Sequence, residues 1–193
     1  MNAFHDKEKQ MPFKVQTFQE NVDQALDRPT RDKLDQACDE YRTLTSSTKK
    51  LRSIRGMMDI LDREVNEATR REIMQACGTC CIGASTLQKA QHLHDESLNL
   101  DDFLDRLNEA HIGGGHLERE GEVIYAAYGR CYCGSVSISK ELFSDTYCHC
   151  SCGWYQKLFE TLFKQPVEVE LMSSIIQGSD RCRFIINIPA NVS

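Results

Sequence analysis

Apolar residues recur at three- and four-residue spacing through the first hundred positions and at two-residue spacing in most of the rest. Val15, Phe18, Val22 and Leu26 form one helical stripe. Leu34, Ala37, Tyr41 and Leu44 form a second after Pro29, a residue at home in the first turn of a helix. Leu51, Ile54, Met58, Leu61 and Val65 continue the period. A further helix runs through Ile73 and Met74 to end near Gly78, and another apolar pattern runs from Ile82 to Leu93. Asn99 stands where a helix cap belongs, with Asp102 in the capping-box position three residues on. Leu100, Phe103, Leu104 and Leu107 supply the buried stripe that follows, and Gly113-Gly114-Gly115 closes this half.

After a turn at Glu120-Gly121 the period changes. Val123, Tyr125 and Ala127 alternate with Ile124, Ala126 and Tyr128, as in a strand, and a second strand is expected over Gly134–Ser139. Trp154, Leu158, Phe159, Leu162 and Phe163 define one amphipathic helix that stops before Pro166. Val167–Ile176 and Arg181–Ile188 pair as a hairpin around Gly178-Ser179-Asp180. The expected fold is α+β: a helical region over residues 1–112, packed on an antiparallel sheet with one long helix over residues 113–193, the two forming one compact unit.

Charge narrows the function classes. Lys and Arg number 23 and Asp and Glu 29, for a net charge of −6, which disfavours nucleic acid as a partner. The short basic run Lys49–Arg55 fits a solvated helix face. No apolar run is long enough to insert in a membrane, and the polar start, Met1 to Pro12, is unlike a secretion signal. A cytoplasmic location is expected.

In that setting the 10 cysteines change the picture, because a reducing compartment leaves little use for structural disulfides. Nine of the ten fall between Cys77 and Cys182, as Cys77/Cys80/Cys81, Cys131/Cys133, Cys148/Cys150/Cys152 and Cys182. Short-spaced thiols supply two ligands of a tetrahedral ion with little strain. Zinc is the expected cofactor, held by thiolates drawn from Cys77, Cys80, Cys131, Cys133, Cys148 and Cys150. Cys38 and Cys182 fit buried strand or helix faces instead. Ser151 as a helix cap would place Cys152 in a first turn, where unpaired N–H groups favour thiolate, so Cys152 is the candidate nucleophile. Trp154, Cys152 and His116 are the expected ligand-binding residues. His92 and His94 cannot share a helix face, and the triple glycine is not a Walker loop.

The end of the chain, YCHCSCGWYQKLFETLFKQPVEVELMSSIIQGSDRCRFIINIP, resembles 4-vinyl-reductase-like domains, in a cysteine-rich branch that includes hydrocarbon-binding proteins. The resemblance rests on Cys152-Gly153-Trp154, Pro166-Val167, and Gly178, Cys182 and Phe184, and departs at Ser179, where Asp is common. Thiazoline-carboxylate hydrolase-like proteins end similarly. The resemblance implies an α+β domain that binds or senses a small apolar molecule. Two enzyme readings stand beside it: a hydrolase of a small amide or thiazoline using Cys152 or a metal-bound water, and a thiol redox protein using Cys77 and Cys80. An iron–sulfur protein is a weaker third, since the cysteine spacings do not fit common ferredoxin runs. A homodimer is one assembly open to the chain.

Overall fold

The computed structural model describes residues 12–139 and 141–190. The polar start of the chain therefore lies, up to residue 11, outside the described residues. Among the described residues six α-helices come first: α1 (Val15–Ala25), α2 (Arg28–Thr43), α3 (Ser47–Glu64), α4 (Glu67–Thr79), α5 (Ala84–Asp95) and α6 (Leu100–Glu109). They are followed by β1 (Leu117–Glu120), β2 (Val123–Tyr128), α7 (His149–Phe163), β3 (Val169–Ser173) and β4 (Cys182–Asn187). The fold is α+β, as the apolar periods require.

Local chemistry sets the boundaries. Pro29 lies in the first turn of α2. The Asn99 side chain caps α6 by accepting from the Asp102 N–H at 2.9 Å, and the Asp102 carboxylate reaches back to the Leu98 N–H at 2.9 Å. Asn99→Ala is expected to cost about 1 kcal/mol, read from the urea midpoint, because the Asp102 N–H would lose its partner. Gly113, Gly114 and Gly115 all have φ between 76° and 90°, so only glycine passes this corner without strain.

The sheet order is β1-β2-β4-β3, and each neighbouring pair is antiparallel. Tyr128 lies opposite Cys182, and Val169 opposite Ile186, with an irregularity between Leu171 and Ser173. The expected hairpin is therefore present, although β3 stops at Ser173 and a 3-10 turn, Ile175–Gln177, ends the segment. The expected strand over Gly134–Ser139 is absent: these residues form successive turns. Their N–H groups bond locally, from Val136 and Ser137 to the Cys133 carbonyl and from Ser139 to Val136. Val136 is buried among helices and not on the sheet.

Two apolar cores result. One joins α5, α6, the inner sheet face and α7 through Phe103, Leu107, Ile124, Phe184, Ile186 and Phe159. The other joins α1 to α4 with Val136, Phe143, Tyr147 and Ile176 from the second half of the chain. Helices α4 and α7 cross between them at backbone contact. A Cβ built on Gly78 would lie 1.8 Å from the Cys150 carbonyl oxygen, and one on Gly153 would lie 1.8 Å from that of Gln75. That crossing sets the end of α4 against the start of α7.

Candidate functional site

A cavity of about 1090 Å³ opens at the seam between the two cores. The end of α4 and the turn after it bring Cys77 and Cys81 to it, the loop after β2 brings Cys131 and Cys133, and the first turn of α7 brings Cys150. Phe13, Tyr128, Tyr132, Tyr147, Trp154 and Tyr155 give it aromatic walls. Tyr155 is fixed by donating its hydroxyl to the Gly113 carbonyl at 2.9 Å, and Tyr128 by a 2.7 Å bond to Ser151.

Side chains also hold the thiols in place. Asn21 donates to the Cys77 sulfur at 3.3 Å, and the Tyr147 hydroxyl is 2.7 Å from the Cys133 sulfur. Burial pushes the Cys77 thiol up to about 12 and Cys131 to about 11. Cys150 is raised by burial and then by the neighbouring Cys133, Cys81, Cys77 and Cys131 thiols. Cys81 is raised by burial and by Cys133, with the Lys14 ammonium pulling the other way. The cluster thus favours neutral thiols unless a cation compensates them. Among the described residues no three Cys, His, Asp or Glu side chains are already spaced to hold an ion.

The remaining residues singled out from the sequence lie elsewhere. Cys80 is exposed and does not line the cavity, whereas its neighbour Cys81 does. Cys148 is buried and does not line the cavity; it lies 3.0 Å from the Ser174 hydroxyl and interacts with Cys182, which stands opposite the lining residue Tyr128. In that pair Cys182 is the thiol held down, by the bond from Cys148 and by the Ile175 N–H at 3.4 Å. Trp154 lines the cavity; His116 is exposed and outside it.

The activation expected at Cys152 is corrected. Ser151 caps nothing, because a 3-10 turn, Asp145–Cys148, runs directly into α7, and it is Ser144 that accepts from the Thr146 N–H at 3.1 Å. The N–H groups assumed free at Cys152 lie inside continuous helix. Cys152 is fully buried, and desolvation pushes its thiol up to about 12. His149 is 3.8 Å away, but burial lowers its pKa, so the two form a neutral contact and no thiolate–imidazolium pair.

A family model matches residues 11–192. The chain belongs to a family of unknown function (DUF6144). No curated protein matches it. Among solved structures it is similar to the phenol-responsive sensory domain of the transcription activator PoxR with phenol, at 13% identity and a TM-score of 0.43, over 75% of each chain. Within the family's matched span lie all the cavity cysteines.

The sequence groups Cys81 with Cys77 and Cys80 without singling it out, yet Cys81 lines the cavity. Spacing alone does not separate Cys80 from Cys81, because α4 ends at Thr79 and both lie in the turn beyond it. The α4–α7 crossing then selects Cys81. The aromatic walls gave no periodic signal, since they come from separate loops and helices.

Proposed function

We propose that this chain binds a small organic molecule in the seam cavity, beside a zinc ion held by cysteine thiolates. The observation that carries the reading is the collection of Cys77, Cys81, Cys131, Cys133 and Cys150, from three separate segments, around one aromatic-walled space. Thiolates are ligands suited to zinc, and a dication removes the mutual penalty that buried neighbouring thiolates impose on one another. Holding an ion requires some of these side chains to turn toward a shared centre, which rotamer changes at cysteine permit. The zinc would fasten α4, the loop after β2 and α7 together.

The order of elements at the end of the chain supports the ligand part of the reading. Helix α7, Pro166, the β3–β4 hairpin, and Cys182 and Phe184 on the buried face of β4 follow one another as in the 4-vinyl-reductase-like pattern. A cavity of this volume is of the size that encloses drug-sized molecules.

Native mass spectrometry of protein purified under reducing conditions tests both parts. The wild type is expected to carry a zinc increment that Cys77→Ser and Cys150→Ser each lose and Cys38→Ser keeps. A second, organic increment should disappear in Trp154→Ala. Wild type free of metal, or a Cys150→Ser variant with full zinc, removes the metal part.

A further inference from the structure

Apart from its thiols, the lining of the cavity carries an uneven charge. Lys14, Lys89 and Arg130 border it, and among the described lining residues there is no Asp or Glu. This is notable in a chain whose 29 acidic residues outnumber its 23 Lys and Arg. Lys14 lies just before α1, and Lys89 sits on α5, so the two ammonium groups come from separate elements of the first half. Neither is paired with a carboxylate of the described residues. The Arg130 guanidinium lies over the Tyr132 ring at 4.8 Å, which joins the cationic border to the aromatic wall.

We infer that the cavity selects an aromatic anion: a flat apolar body lying against Trp154 and Tyr132, with a carboxylate, sulfonate or similar group near Lys14 and Lys89. The inference rests on the reading that this cavity is the ligand site, and it adds the chemical class of the ligand. Field lines from the two ammonium groups are focused by the apolar walls, so an anion gains there what a neutral molecule of the same shape does not. Aromatic area supplies the remaining affinity, because it is removed from water against other rings. The thiols come from other segments: α4 and the turn after it, α7, and the loop after β2.

Two dyes with the same ring skeleton separate charge from shape. Anilinonaphthalene sulfonate is anionic, and N-phenyl-1-naphthylamine is its neutral counterpart. Both are titrated by fluorescence into the full chain, reduced and folded. The sulfonate is expected to bind about tenfold or more tightly than the neutral dye. Salt at about 0.5 M should shrink that gap by screening. The double variant Lys14→Glu, Lys89→Glu should close it without weakening the neutral dye, and Trp154→Ala should weaken both. Equal or tighter binding of the neutral dye overturns the anion inference and leaves the cavity as an apolar ligand site. So does a sulfonate affinity unchanged in the lysine variant. Binding of neither dye removes the ligand-site reading itself, and dye binding indifferent to Trp154→Ala places the dyes elsewhere and overturns the inference.

Discussion

Gly78→Ala and Gly153→Ala are each expected to destabilise the protein by more than about 3 kcal/mol, or to prevent folding, although both replacements put a better helix former into a helix. In each case the new Cβ would meet a backbone carbonyl oxygen at 1.8 Å, with the carbonyl carbon at 2.6 to 2.7 Å. Backbone cannot swing aside as a side chain can, so α4 and α7 must separate. That separation opens the seam and moves Cys150 away from Cys77 and Cys81. Gly56 on α3 supplies the control: a Cβ there meets nothing within 4 Å. Gly56→Ala should therefore raise stability by about 0.5–1 kcal/mol, through propensity and the reduced freedom of the unfolded chain. Urea unfolding of the three variants decides the matter. Near-equal effects at all three glycines would mean that the helix crossing is not as close as described.

Alkaline pH should unfold the reduced protein, and Cys38 offers a clean measure of why. This thiol is fully buried among α1 to α4, outside the cavity, and desolvation raises it from 9.0 to about 12. A thiol whose folded pKa lies above its unfolded value costs the fold nothing below about pH 9. Between about pH 9 and 12 only the unfolded chain sheds the proton, so stability falls as pH rises. The expected loss from this group is about 1 kcal/mol per pH unit across that window. The measurement is the difference in unfolding free energy between wild type and Cys38→Ala, taken in urea at several pH values. It should be constant below pH 8 and move in favour of the variant above pH 9. A difference that stays flat to pH 11 would show that Cys38 is hydrated or otherwise compensated in the folded state. Cys152, raised to about 12 in the same way, pushes total stability in the same direction.

Much of the architecture is written locally. The stripes at Phe18 and Val22, at Leu34 and Tyr41, and at Ile54 and Leu61 bury one face of each helix, and all six residues are core. Asn99 caps where expected because its side chain needs only the N–H three residues on. Alternation fixed β2 and the β3–β4 hairpin, since strand faces repeat every two residues regardless of what lies across them. Gly134–Ser139 misled because its Ser-Val-Ser-Ile-Ser alternation joins no strand among the described residues, and local turns took its hydrogen bonds.

The site followed a different logic. By itself the sequence determined that thiols come in short-spaced groups, that Cys38 and Cys182 belong to buried faces, and that Trp154 opens into an amphipathic helix. Those are properties of spacing within one element, which bond geometry fixes. Which groups meet was decided only by the tertiary structure. The glycine-mediated crossing of α4 and α7 sets Cys77 and Cys81 beside Cys150 and leaves Cys80 in solvent. Cys148 instead meets Cys182, which β4 sets opposite the cavity-lining Tyr128 of β2. The thiolate expected at Cys152 was lost for the same kind of reason. A helix start makes N–H groups available only if no turn precedes it, and burial depends on every element that packs around it.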